Sequence, residues 1–115
     1  MQKFLVLYLC PTSVIEGWAK TDPQTKKELE AKMQDEWKKW TQKNKSMIKE
    51  TAGAGKTKRI TSKGVTDTKN EIMLYSIVEA PSHEEAAKIF EDHPHLQIPE
   101  SSIEVMPANV LPGMK

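Results

Sequence analysis

The sequence predicts an α+β fold with an antiparallel sheet, in the order strand, helix, two strands, helix, strand. Two observations predict it. Lys3–Leu9 and Ile72–Val78 are apolar on both alternating faces, as strands at the centre of a sheet are. Each is followed by a stretch of helical periodicity with its own start signal, Asp22-Pro23 in one case and Ser82-His83-Glu84-Glu85 in the other. The 115 residues make one domain, long enough to bury a core without staples. Charged residues are 29% and hydrophobic ones 37%, a globular balance rather than a disordered one.

In the first strand, Phe4, Val6 and Tyr8 lie on one side and Leu5, Leu7 and Leu9 on the other. Pro11 ends it. Thr12–Thr21 reads as a connector whose Ile15 and Trp18 fold back on the core. A long helix is expected from Pro23 to Lys43, with Asp22 as N-cap and Pro23 at the first helical position. Leu29, Met33, Trp37 and Trp40 form its apolar stripe, and two tryptophans on such a stripe are more often core than the wall of a ligand pocket. Glu28 with Lys32, and Asp35 with Lys39, are favourable pairs on its wet face.

Lys45–Thr51 is the expected second strand. Ala52-Gly53-Ala54-Gly55-Lys56-Thr57 ends like a phosphate-binding loop, but that motif needs a glycine where Glu50 stands and a helix afterwards. Lys58-Arg59-Ile60-Thr61 is basic and β-branched, so the glycines read as a turn between extended segments. Lys56, Lys58, Arg59 and Lys63 form a small basic patch, most simply an edge protected by charge. Ser62–Asn70 is polar and reads as a loop. Ile72–Val78 is the next strand, with Ile72, Leu74, Ser76 and Val78 on one face and Met73, Tyr75 and Ile77 on the other.

Ser82 to Glu85 is a capping box, which makes His83 an exposed first-turn residue. Ala86, Ile89, Phe90 and His93 continue a buried stripe, and Pro94 stops the helix near His93. Ser102–Pro107 is the last strand, with Ile103 and Val105 inward and Glu104 outward. The tail from Ala108 is expected to be irregular.

This order is the ferredoxin-like βαββαβ arrangement, in which both helices cross the same face of the sheet. Two central strands apolar on both faces would then leave an unusually large bare patch. The simplest cover is a second copy, sheet against sheet, in a symmetric homodimer.

The chain resembles the YCII-related family of the dimeric α/β-barrel superfamily. The resemblance lies in Lys3-Phe4-Leu5-Val6-Leu7-Tyr8, in Glu79-Ala80-Pro81-Ser82-His83-Glu84-Glu85-Ala86, and in Ser102-Ile103-Glu104-Val105-Met106-Pro107. It implies the fold, the dimer and a pocket between sheet and helices. Some members of that family are held to use a His–Asp pair. Many carry Asp-Gly-Pro-Phe before the third strand, where this chain has Asp67-Thr68-Lys69-Asn70.

The concentrated polar chemistry is Asp92-His93-Pro94-His95. Histidine exchanges protons near neutral pH, and a nearby carboxylate would orient its ring and raise its pKa. Asp92, His93 and His95 are therefore the catalytic candidates, against the plainer reading that His93 completes the core stripe or meets the helix C-terminus. A metal at His93 and His95 would need a further group such as Glu104, with Pro94 restricting the path between them. Cys10 has no recognisable base and follows a core strand, so it reads as inert.

Three functions are open: a small enzyme with histidine acid–base chemistry on a small molecule, a non-catalytic small-molecule-binding or interaction module, and, by superfamily analogy, a cofactor-free monooxygenase. The residues name no cofactor. A net charge of +1 argues against a nucleic-acid partner, no apolar run is long enough to span a membrane, and the single cysteine fits a reducing, cytoplasmic setting.

Overall fold

The computed structural model describes residues 1–113; the last two positions of the expected irregular tail lie outside the described residues. The elements are β1 (Gln2–Leu9), α1 (Thr12–Ala19), α2 (Pro23–Asn44), β2 (Ile48–Gly53), β3 (Thr57–Thr61), β4 (Gly64–Thr68), β5 (Ile72–Ala80), α3 (His83–Lys88), a 3-10 turn (Pro94–Gln97) and β6 (Ser102–Pro107). The main sheet has the order β2-β5-β1-β6, and each neighbouring pair is antiparallel. This is the ferredoxin-like α+β fold, with β1 and β5 at the centre and β3–β4 added as a separate two-stranded ribbon.

Alternation along the central strands sorts their side chains. Phe4, Val6 and Tyr8 of β1 and Ser76, Val78 and Ala80 of β5 are fully buried beneath the helices. Trp40 of α2 and Ala86 of α3 close over them, together with Phe90, which follows α3. The Trp40 indole Nε1 donates to the Ile89 carbonyl at 3.0 Å, which fixes α2 against the segment after α3. The residues between, Leu5, Leu7 and Leu9 on β1 and Met73, Tyr75 and Ile77 on β5, face the other way and stay half-buried.

Several expectations shift for identifiable reasons. Thr12–Thr21 is not a bare connector, because Thr12–Ala19 is helical. Val14 and Trp18, four residues apart, are its half-buried side. α2 starts as expected, with the Asp22 carboxylate accepting from the Thr25 amide at 3.1 Å. Its stripe is only half used: Trp40 is buried, whereas Leu29 is 45% exposed. Lys39 pairs with Asp35 at 3.0 Å, and Lys32 reaches Glu36 rather than Glu28.

β2 begins three residues later than expected, since α2 runs on to Asn44. Ser62–Asn70 is not simply a loop, because Gly64–Thr68 forms β4, paired with β3. Gly64, at φ 129°, supplies the left-handed turn between them. The segment after Gly55-Lys56-Thr57 is thus a strand and not the helix of a nucleotide loop. α3 stops at Lys88, before His93. Beyond it the chain tightens into successive i→i+3 turns, which still direct Phe90 and His93 inward.

The molecule is a slab of 51 × 45 × 19 Å. Its radius of gyration is 16.3 Å, against about 13 Å for a compact chain of this length. It exposes 8453 Å², about a third more than the roughly 6,300 Å² usual for its mass. The projecting ribbon and the uncovered sheet face both contribute to that excess.

Candidate functional site

The candidate site lies where the end of β1 meets the 3-10 turn. Pro94 holds His93 in extended backbone, φ −67° and ψ 136°, and so makes it the N-cap of that turn. The His93 ring is 2% exposed and the His95 ring 1%. His93 sits edge-on to two indoles, with centroids 4.3 Å from Trp37 and 4.4 Å from Trp40, and 5.2 Å from the Tyr8 ring.

The hydrogen bonds fix both tautomers. The His95 amide donates to His93 Nδ1 at 3.0 Å. Nδ1 therefore bears a lone pair, and the proton of the neutral His93 ring is on Nε2. His95 Nε2 lies 2.9 Å from the Leu9 carbonyl oxygen. A carbonyl only accepts, so Nε2 donates and Nδ1 of the neutral His95 ring carries the lone pair. The two ring atoms left over, His93 Nε2 and His95 Nδ1, are buried with no hydrogen-bond partner. One is a donor and the other an acceptor.

Burial dominates the electrostatics. Desolvation, with His95 alongside, lowers the His93 pKa to about 4, and the pull of Asp92 in the opposite direction is smaller. Desolvation also lowers the His95 pKa, outweighing the Leu9 and Ser102 backbone groups that favour its charged form. Both rings are neutral at physiological pH. The expectation that a carboxylate raises the histidine pKa is therefore corrected. Asp92 is exposed and accepts from Lys43 Nζ at 3.3 Å, and that bond holds its carboxyl below the usual range. The structure brings His93 and His95 together and leaves Asp92 outside, on the surface.

A polar line that no sequence motif announces runs into the same interior. The Tyr8 hydroxyl is 2.8 Å from Ser76 Oγ, which is 2.7 Å from Thr51 Oγ1. Tyr8 and Ser76 are buried and Thr51 is exposed, so the chain of hydroxyls connects the core to the β2 edge. Burial raises the Tyr8 pKa, with the Ser76 bond opposing, and keeps the phenol protonated. The available signal was a tyrosine and a serine at inward-facing positions of the two central strands. His83 is exposed as expected. Its ring also stacks on Phe4, and its Nε2 lies 2.8 Å from the Val105 carbonyl.

Two clefts flank α1. One, of about 520 Å³, is mostly apolar and is walled by Cys10, Trp18, Leu29, Met33, Met73 and Ile98. The other, of about 830 Å³, lies between α1 and the base of the ribbon, with Glu16, Lys56 and Lys69 on its walls. Cys10 is a buried free thiol whose pKa is raised by burial and then by Glu71 and Glu100, so it is protonated and a poor nucleophile. Among the described residues, no three His, Cys, Asp or Glu side chains gather as metal ligands would. No helix there is long and apolar enough to cross a membrane.

No protein-family description matches the sequence, and no curated protein matches it. The chain is similar in structure to a 5-chloro-2-hydroxyhydroquinone dehydrochlorinase from Burkholderia phenoliruptrix AC1100, solved in complex with 2,5-dihydroxybenzoquinone. The similarity covers 100% of both chains with a TM-score of 0.54 and 14% sequence identity. At that identity the likeness shows a shared α+β fold.

Proposed function

We propose that this chain is a small enzyme of the YCII-related kind. It uses histidine acid–base chemistry on a small molecule and works as a homodimer joined through the uncovered sheet face, in the cytoplasm. The observation that carries the catalytic reading is the pair of unmatched ring nitrogens. His93 Nε2–H offers a donor and His95 Nδ1 a lone pair, both buried, where unpaired polar atoms are costly and rare. A hydroxyl-bearing molecule, or a water acting on one, answers both. His95 Nδ1 is then the base, His93 Nε2–H holds the oxygen, and Asp92 acts at a distance through its field on His93.

The dimer reading rests on the alternation of β1 and β5. Six large apolar side chains face away from the helices and are only half-buried. The surplus of exposed area is of the size that a stable interface removes. The free, buried Cys10 fits the cytoplasmic placement.

The test uses His95→Gln and His93→Asn. Glutamine keeps a donor toward the Leu9 carbonyl and asparagine keeps an acceptor toward the His95 amide, while each removes the basic ring. Turnover is screened on small hydroxylated compounds, beginning with substituted hydroquinones, the class named for the structurally similar dehydrochlorinase. The reading predicts folded variants with activity lost. Folded variants that keep the activity of the unaltered protein would refute it. A second reading, a binding module without catalysis, rests on the 520 Å³ apolar cleft, which neither histidine lines. It predicts binding without product, indifferent to both substitutions.

A further inference from the structure

The β3–β4 ribbon leaves the sheet where β2 and β5 end, and its extensive contacts are only between its own two strands. Asn70 Nδ2 donates to Thr57 Oγ1 at 3.2 Å at its base, and Lys69 meets Glu16 of α1 at 3.9 Å. Beyond that, among the described residues, neither strand packs extensively on another element, although Lys58 and Asp67 border the cleft beside α1. An isolated two-stranded hairpin is marginal in water and needs a surface to pack on.

One face of the ribbon is built for such a surface. Ile60 stands directly opposite Val65, and the two are 73% and 61% exposed. Beside them on the same face, Lys58 and Asp67 are also opposite and pair at 2.7 Å. Arg59, Thr66 and Thr68 take the other, polar face. An apolar pair at the far end of a projecting arm steadies its own hairpin but, at this exposure, buries little against the body.

We infer that the ribbon is an arm with which each copy grips a second copy of this chain. It would extend the sheet-to-sheet contact past the end of the main sheet. The inference rests on the dimer reading above. Charge supports this occupant over others. Lys56, Lys58, Arg59 and Lys63 outnumber Asp67 on the arm, whereas Glu50, Glu79 and Glu104 outnumber Lys3 at the edges of the uncovered sheet face. Arm against sheet edge is attractive, and arm against arm is repulsive. The arm also continues the edge strand β2 and the central strand β5 beyond one end of the uncovered face, so a partner seated there lies within its reach of roughly 17 Å.

Two measurements separate this inference from the reading beneath it. The first is amide hydrogen exchange on the unaltered protein and on Leu7→Lys, whose charge lies on the sheet face. The arm amides of Ile60 and Val65 are expected to exchange at least about tenfold more slowly in the dimer than in the Leu7→Lys monomer. The second is the dimer dissociation constant of Ile60→Ser/Val65→Ser, expected to rise about tenfold or more, with a melting transition close to that of the unaltered protein when both are diluted to monomers, since two apolar side chains lose their cover. A dimer with unprotected arm amides and an unchanged constant in the double variant would overturn the arm and leave the sheet contact standing. A monomeric unaltered protein would overturn both.

Discussion

Val6 and Leu7 are neighbours on β1 and meet opposite surroundings. Val6 is fully buried under the helices, between Ser76 and Val105 on the adjoining strands. Leu7 lies between Tyr75 and Glu104 on a face that no element among the described residues covers. Both side chains are aliphatic and of similar size, so composition does not separate the two faces. The covered face also holds the buried polar groups, Ser76, His93 and His95. The uncovered one is apolar at its centre and charged at its margins, where Glu50, Glu79 and Glu104 outnumber Lys3. A chain that needed only to fold would have little use for leucines on the second face. The difference teaches that one face of the sheet is specified by contacts the chain makes with itself, and that the other is what the second copy proposed above would have to specify.

The widest break in that comparison comes from placing one charge on each face in turn. Val6→Lys is expected to lose about 5 kcal/mol or more and to abolish the cooperative thermal transition, because a charge enters a sealed core. Leu7→Lys keeps the transition of a folded monomer. Circular dichroism melts of the two variants check this, and equal unfolding of both would erase the distinction between the faces.

Next in size is acid sensitivity of the covered face. The folded pKa of His93, about 4, lies below its unfolded value. Its contribution is therefore fully present above an unfolded pKa of about 6.5 and lost as pH falls through the folded value, on the order of 3 kcal/mol in all. His95, shifted in the same direction, adds to the trend. Urea unfolding at pH 7 and pH 4.5 measures the loss, which His93→Asn reduces. Equal stability at both values would mean that the ring is hydrated and ionises freely.

A smaller effect is expected from Tyr8→Phe, which leaves the Ser76 hydroxyl without its inner partner and costs about 1–2 kcal/mol by the same unfolding assay. Least of all, Asp92→Asn changes stability by less than about 1 kcal/mol, because its pair with Lys43 is exposed.

Much of the fold was legible in the sequence because its signals are local. The two-sided apolar strands, the Asp22 cap with Pro23 and the Ser82 cap all hold, with the Glu85 amide donating to the Ser82 hydroxyl at 3.2 Å. What was misread depends on partners distant in sequence. Gly64–Thr68 is too polar to announce a strand and becomes one by pairing with β3, outside any core. The helix Thr12–Ala19 has no side-chain cap and buries no residue fully, so it leaves only the weak spacing of Val14 and Trp18. In the candidate site, the burial of His93 followed from its place on the stripe of Ala86, Ile89 and Phe90. Its neutrality did not. That arises from burial among Trp37 and Trp40, more than fifty residues earlier in the chain, with His95 alongside.

The most direct test of a sheet face made for a second copy is sedimentation equilibrium of the unaltered protein beside Leu7→Lys. The account predicts twice the 13.0 kDa chain mass for the first and the single-chain mass for the second. A unaltered protein that stays at the single-chain mass up to high micromolar concentration would contradict it.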